Sequence, residues 1–190
     1  ADDALYAEWK VGLLREEFAA AGLSPPIAPM ARSPLPSRRR MTLSATAGSG
    51  PPRAGYFARA SHTIVDVPDC PALEPALDAA LPALRAIAID AARKAGEARL
   101  VATLCDNGVD VALAAARRAP APRRNRKRGA RTPPPPPPPM LTDPAIVRLS
   151  EGGETLIARE IPTVTLGGVP VPFPPGAFIQ ATRQGEKALV

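Results

Sequence analysis

Cysteine, histidine and aromatic residues are scarce in this 190-residue chain: two Cys, one His, one Trp, two Tyr and four Phe. Each scarcity removes a class of protein. A small secreted scaffold held by disulfides carries more cysteines, and Cys70 and Cys105 form no metal-type spacing with each other. His62, the single histidine, lies beside a predicted strand and is given no catalytic role. No apolar run reaches the ~18 residues that a membrane-spanning helix requires. The amino terminus places Asp2 and Asp3 ahead of an amphipathic stretch and lacks the basic and apolar regions of a secretory signal. A reducing, cytoplasmic setting is the expectation. With aromatics at 4%, the core has to be built from Leu, Val, Ile and Ala. The chain does not open on Met, and the expectation is a start further upstream.

Proline and positive charge, by contrast, are plentiful. The chain has 26 Pro and a net charge of +6. The charge is concentrated: residues 111–142 hold eight basic groups (Arg117, Arg118, Arg123, Arg124, Arg126, Lys127, Arg128 and Arg131) and no acid. Removing those eight from the +6 leaves −2 for the rest of the chain, so the basic character belongs to one segment and not to a folded face. Seven consecutive prolines follow at 133–139. Such a tract forms neither helix nor central strand, and 116–143 is expected to be polyproline II or disordered.

Elsewhere the pattern predicts short elements. Leu5, Trp9 and Leu13, with Leu14 and Phe18 adjoining, make one side of a helix over 4–21, with Asp2 or Asp3 as cap and Gly22 after its end. Strands are predicted at 38–46, 53–59 and 62–67. Leu73, Leu77, Leu81 and Leu84 form a helical stripe in 71–94 that Pro75 and Pro82 interrupt, giving two short helices or one with a kink. Residues 98–105 and 109–115 flank Asp106-Asn107-Gly108 and read as a hairpin with a type I′ turn at Asn107-Gly108. A second hairpin is predicted at 162–166 and 169–173 around Gly167-Gly168, its second strand at an edge because Pro170 and Pro172 lack ladder donors. Thr182 caps a last helix over 182–190, inside which the chain is expected to be cut.

Three blocks in this order carry a further meaning. They are Ser37-Arg38-Arg39-Arg40, the run from Gly55-Tyr56-Phe57 through Ser61 to Leu73, and Phe173-Pro174-Pro175-Gly176-Ala177-Phe178-Ile179-Gln180-Ala181-Thr182. Together they resemble the central region of bacterial RNA uracil-C5-methyltransferases, the makers of 5-methyluridine in ribosomal and transfer RNA. The resemblance covers nearly the whole chain outside 116–143. It implies an α+β central domain of small antiparallel hairpins packed with helices, divided as 1–115, an insertion at 116–143, a last hairpin at 144–176 and, at 177–190, the lead-in to a Rossmann-like methyltransferase domain beyond the carboxyl end.

The resemblance also implies roles. Gln180 matches the family's glutamine at the S-adenosylmethionine site, and Phe178 would sit beside the target base. Cys70 matches the fourth ligand of a [4Fe–4S] cluster held in many members, whose other three cysteines would lie upstream of Ala1; four thiolates are the usual complement, so Cys70 alone holds none. In the family a cysteine thiolate adds to uracil C6, C5 takes the methyl group of S-adenosylmethionine, and a base removes the C5 proton. Neither thiolate nor base can be assigned in this chain, so no catalytic residue is named. The implied substrate is RNA, ribosomal ahead of transfer RNA because of the cysteine at 70, and a monomer is expected.

Blander readings stand beside these. Cys70 reads as an ordinary core thiol when taken alone. Arg38, Arg39 and Arg40 are RNA phosphate contacts or a solvated surface. Strand alternation puts Arg38 and Arg40 on one face and Arg39 on the other, in a structural position. The 117–131 run is a genuine insertion, a reading-frame slip in GC-rich sequence, or an RNA-binding tail. A free-standing RNA-binding adaptor using these basic segments is the alternative to a fragment of an enzyme.

Overall fold

The computed structural model describes residues 2–48, 50–114 and 141–189. The elements in order are α1 (Asp3–Ala20), β1 (Arg40–Thr46), β2 (Arg53–Phe57), β3 (Ile64–Asp66), α2 (Pro75–Ala79), α3 (Leu81–Ala95), β4 (Glu97–Cys105), β5 (Gly108–Leu113), β6 (Ile146–Glu151), β7 (Glu154–Ala158), β8 (Thr163–Leu166), β9 (Val169–Pro172) and α4 (Arg183–Lys187). The expected separate small hairpins are joined into one seven-stranded sheet, ordered β3-β2-β1-β4-β5-β6-β7, with β8-β9 as a second two-stranded sheet. All neighbours in the large sheet are antiparallel except β5 and β6, which run parallel. The class remains α+β.

Alternation along β1 explains the two faces of the large sheet. Met41, Leu43 and Ala45 are buried on one face, and Arg40, Thr42, Ser44 and Thr46 are half-buried on the other. The buried face packs against α2 and α3 through Leu77, Leu81, Leu84, Ala88 and Ala92, with Leu100, Ala102 and Val111 from the central strands. Each fully buried leucine there contributes about 1.5–3 kcal/mol. The stripe in 71–94 is divided as its prolines demand. The helices meet at Ala80, and each carries its proline in the first turn, where the missing N–H costs nothing.

The opposite face is only partly covered. Cys105, Val164, Phe173 and Ile179 form a small second core over its β4–β5 end. Beneath this cover lies a buried ion pair: Arg148 Nε donates to Asp110 Oδ1 at 2.7 Å, and Arg148 Nη2 donates to the Phe173 carbonyl at 2.7 Å. Burial pushes the Asp110 carboxyl up, against the pull of Arg148.

Four expectations need correction. The 105–108 turn is centred one residue earlier than the type I′ reading. Cys105 pairs with Gly108, and neither Asp106 nor Asn107 has a positive φ. Gly108 is needed for a different reason: at φ +145 a Cβ there would lie 2.5 Å from Val147 Cγ1 and 2.8 Å from the Ala145 carbonyl oxygen. The Asn107 side chain instead accepts from Thr163 N at 3.0 Å and donates to the Ile161 carbonyl at 3.0 Å, binding the two sheets. Second, α1 has the predicted Asp2 cap and a Gly22 terminus at φ +72, yet it buries none of its residues. Trp9 is 55% exposed and Leu5 66%. Third, the last helix is shorter than the expected 182–190, spanning Arg183–Lys187 with Ala188 as its C-cap. Fourth, the stretch after 144 holds an unexpected hairpin, β6–β7, around Gly152 and Gly153, both with positive φ.

The second predicted hairpin stands as expected, with Gly167 at φ +58 and Gly168 at φ +84. The basic run at 117–131 and the prolines at 133–139 lie outside the described residues. Leu141, inside the stretch assigned to the insertion, packs into the main core.

Candidate RNA and cofactor site

The three sequence blocks converge at one corner of the molecule. Arg38 forms a parallel bridge to Leu73 and an antiparallel bridge to Thr182. Arg38 N donates to the Ala72 carbonyl at 2.9 Å, Glu74 N to the Arg38 carbonyl at 2.8 Å, and Arg39 N to the Ala181 carbonyl at 2.8 Å. The chain entering β1 is thus clamped between the end of the second block and the end of the third. Two further links seal the corner: the Ser33 and Thr182 hydroxyls lie 2.7 Å apart, and Arg183 reaches Asp106 at 3.2 Å and Glu74 at 3.7 Å.

The three arginines have three different environments. Arg38 is exposed. Arg39 is 1% exposed; its Nε donates to the Gln180 carbonyl at 3.1 Å, and its Nη2 pairs with Glu186. Alternation therefore holds, and Arg39 occupies the structural position. Arg40 is half-buried, with its guanidinium carbon 5.0 Å from the centre of the Phe178 ring. Its Nε is buried with no hydrogen-bond partner among the described residues. An unpaired buried N–H of a charged group costs about 1–3 kcal/mol or more.

Phe178 is 70% exposed, an unusual position for a phenylalanine, and its ring is presented to solvent beside the Arg40 cation. Gln180 is half-buried; its backbone is fixed by Arg39, while no hydrogen bond among the described residues engages its side-chain amide.

Cys70 is half-buried against the main core; its N–H donates to Asp78 Oδ1 at 2.8 Å. Burial, then the neighbouring Cys70, pushes the Tyr56 phenol up to about 12. Among the described residues no group of three or more His, Cys, Asp or Glu is placed to hold a metal. The residues present do not fit an iron–sulfur cluster, for which Cys70 supplies a single thiolate. Cys105 is buried in the second core, and burial, followed by the Asp110 charge, pushes its thiol up to about 12.

Sequence reasoning missed Glu186 and Arg183, whose roles depend on contacts with β1 and the β4–β5 turn. It also missed the Asp110–Arg148 pair, for which a signal existed: one acid and one base, each set among apolar residues in Val109-Asp110-Val111 and Val147-Arg148-Leu149.

No protein-family model matches the chain. Curated relatives do. An uncharacterised RNA methyltransferase of Zymomonas mobilis is 34% identical over 195 residues, covering 100% of this chain and 47% of the relative. One of Caulobacter vibrioides is 32% identical, covering 97% of this chain and 44% of the relative. The chain is thus similar to bacterial proteins named RNA methyltransferases and spans under half the length of these relatives. Within that group, the 23S rRNA (uracil(1939)-C(5))-methyltransferase RlmD of Chromohalobacter salexigens is 36% identical over 100 residues, 50% of this chain and 21% of the relative. These relationships do not favour a free-standing adaptor. No helix among the described residues is long and apolar enough to cross a membrane.

Proposed function

We propose that this chain forms the RNA- and cofactor-contacting part of an enzyme that methylates uridine C5 in RNA, with ribosomal RNA ahead of transfer RNA as substrate. The observation that carries the reading is the Arg40–Phe178–Gln180 corner. It sets an unpaired cation, an exposed aromatic ring and an uncommitted amide side by side on a rigid support. When bound, S-adenosylmethionine supplies an electrophilic methyl group. The Gln180 amide orients it, Phe178 stacks against the target base, and Arg38 and Arg40 hold flanking phosphates. Arg39 touches neither ligand and acts by fixing the Gln180 backbone. The nucleophilic thiolate and the general base are assigned to the part of the relatives' length that this chain does not span. Cys70 would serve as a cluster ligand only with three thiolates from outside the chain. The protein acts in the cytoplasm as a monomer.

The test is a methyl-transfer assay of the gene product that carries these residues, with tritiated S-adenosylmethionine and unmodified ribosomal or transfer RNA. Label recovered as 5-methyluridine in ribosomal RNA is expected, and Gln180→Ala should raise KM for S-adenosylmethionine with RNA affinity unchanged. Label in another nucleoside, or in neither RNA, overturns the proposal.

A further inference from the structure

The uncovered part of the large sheet does not end at Arg40. Side chains on that face of β1 continue through Thr42 and Ser44 to Thr46. Ser44 pairs with Gly55 and Thr46 with Arg53 on one side; Ser44 pairs with Arg99 and Thr46 with Glu97 on the other. Directly opposed residues share a face. This face therefore opens into a cleft of about 730 Å³, lined by Ser44, Thr46, Arg53, Arg99, Phe57 and His62. Phe57 is 53% exposed, and the exposed His62 ring meets it edge-on at 6.0 Å. Arg53 and Arg99 are exposed, and neither has an ion pair among the described residues. Glu97 is the one acid on the wall.

The geometry points to a second RNA subsite here, one that stacks a single-stranded base on Phe57 and His62 while Arg53 and Arg99 take the adjoining phosphates. The inference rests on the RNA reading of the Arg40–Phe178 corner and extends it along the same face. Ser44 lies four positions along β1 from Arg40, about 13 Å at ~3.3 Å per residue. A single strand anchored at Phe178 reaches Phe57 by following this polar row. Two exposed aromatic rings flanked by unpaired arginines on an open sheet are what a sequence-tolerant single-strand platform requires: a π-face for the base and bidentate donors for the phosphate. The row of hydroxyls between the two ends offers partners for sugar and phosphate oxygens. A duplex offers no free base face, so the occupant is single-stranded.

The experiment is fluorescence anisotropy of the chain with 5′-labelled oligouridines of 4 and 12 nucleotides over a salt series. Wild type should gain affinity with length. Phe57→Ala should remove about tenfold of affinity for the 12-mer, in line with ~1–3 kcal/mol per stacked base. Phe57→Trp, which keeps a π-face, should restore it. Arg53→Gln and Arg99→Gln should each reduce the salt slope by about one. Equal binding of the 12-mer by wild type and Phe57→Ala overturns the subsite. If Arg40→Gln still weakens both oligomers in that case, the reading of the Arg40–Phe178 corner survives. If Phe57→Ala weakens the 12-mer but Arg40→Gln weakens neither, the subsite stands and the corner reading falls. No binding of either oligomer overturns both.

Discussion

Arg39 and Gln180 are 141 positions apart, and the Arg39 Nε donates to the Gln180 main-chain carbonyl at 3.1 Å. One buried side chain thereby sets the position of a residue near the other end of the chain. Its second arm pairs with Glu186, whose side chain is 22% exposed. Replacing Arg39 by Met, close in length but unable to donate, should cost about 2–3 kcal/mol in urea denaturation, below the full penalty of a buried pair because Glu186 can rehydrate. Hydrogen exchange should show the loss concentrated at α4. Unchanged protection there would mean that Arg39 does not hold this segment.

The Asp110–Arg148 pair is the more buried of the two, with side-chain exposures of 2% and 7%. Arg148→Met removes the cation paired with Asp110 and the link to the Phe173 carbonyl. A loss of about 3–5 kcal/mol is expected. The double variant Asp110→Asn with Arg148→Met should recover part of it, because no uncompensated charge then remains. Limited proteolysis should cut near Pro174-Pro175-Gly176 faster in the single variant than in the double.

Cys105 and Tyr56 make stability fall in alkali. Burial raises both groups, Cys105 from 9.0 to about 12 and Tyr56 from 10.0 to about 12. The folded state then holds protons that the unfolded chain releases. The contribution is whole below about pH 9 and is lost as pH rises toward 12. Melting temperature against pH should decline over that window, and Cys105→Ala or Tyr56→Phe should flatten the decline. Iodoacetamide at pH 8 should modify Cys70 ahead of Cys105, with Cys105 reacting once urea unfolds the chain.

Gly55 stands where β3 presses closest on β2: a Cβ there would lie 1.8 Å from the Val65 carbonyl oxygen. Because the neighbour is backbone, it cannot swing aside. Gly55→Ala should cost more than about 2 kcal/mol by calorimetry, whereas Gly48→Ala, with nothing within 4 Å, should stay within about 0.5 kcal/mol.

Local signals were legible in the sequence and long-range ones were not. The Gly167-Gly168 hairpin, the division of the leucine stripe by Pro75 and Pro82, and the Thr182 cap depend on a few adjacent residues, and each stands where it was expected. The Gly152-Gly153 turn had the same kind of signal and was overlooked beside the proline tract. Helix α1 shows the opposite failure: Leu5, Trp9 and Leu13 share one side, but Val11, Leu14 and Phe18 fall on the other, so no apolar face is set apart and none of its residues is buried. The joining of hairpins into one sheet depends on pairings such as Arg40 with Thr103 and Val109 with Ile146, which no local pattern encodes. At the site, Arg38, Arg40, Phe178 and Gln180 were picked out from blocks of resemblance. What spacing alone could not give is that Arg39 joins those blocks, because a buried arginine reads like its exposed neighbours until a partner is found.

The parallel pairing of β5 and β6 has a consequence for chain length. Leu113 lies level with Glu151 and Val109 level with Ile146, so the chain leaving β5 has to return along the sheet before β6 begins. Such a crossover needs about a dozen residues. The sequence assigns positions 114–145 to it, more than that minimum. Closing a loop costs only about 0.6 kcal/mol more for each doubling of length, and trimming this one to a dozen residues changes stability by about 1 kcal/mol. What the parallel register asks of this connection is reach, with Leu141 at its described end seated in the main core.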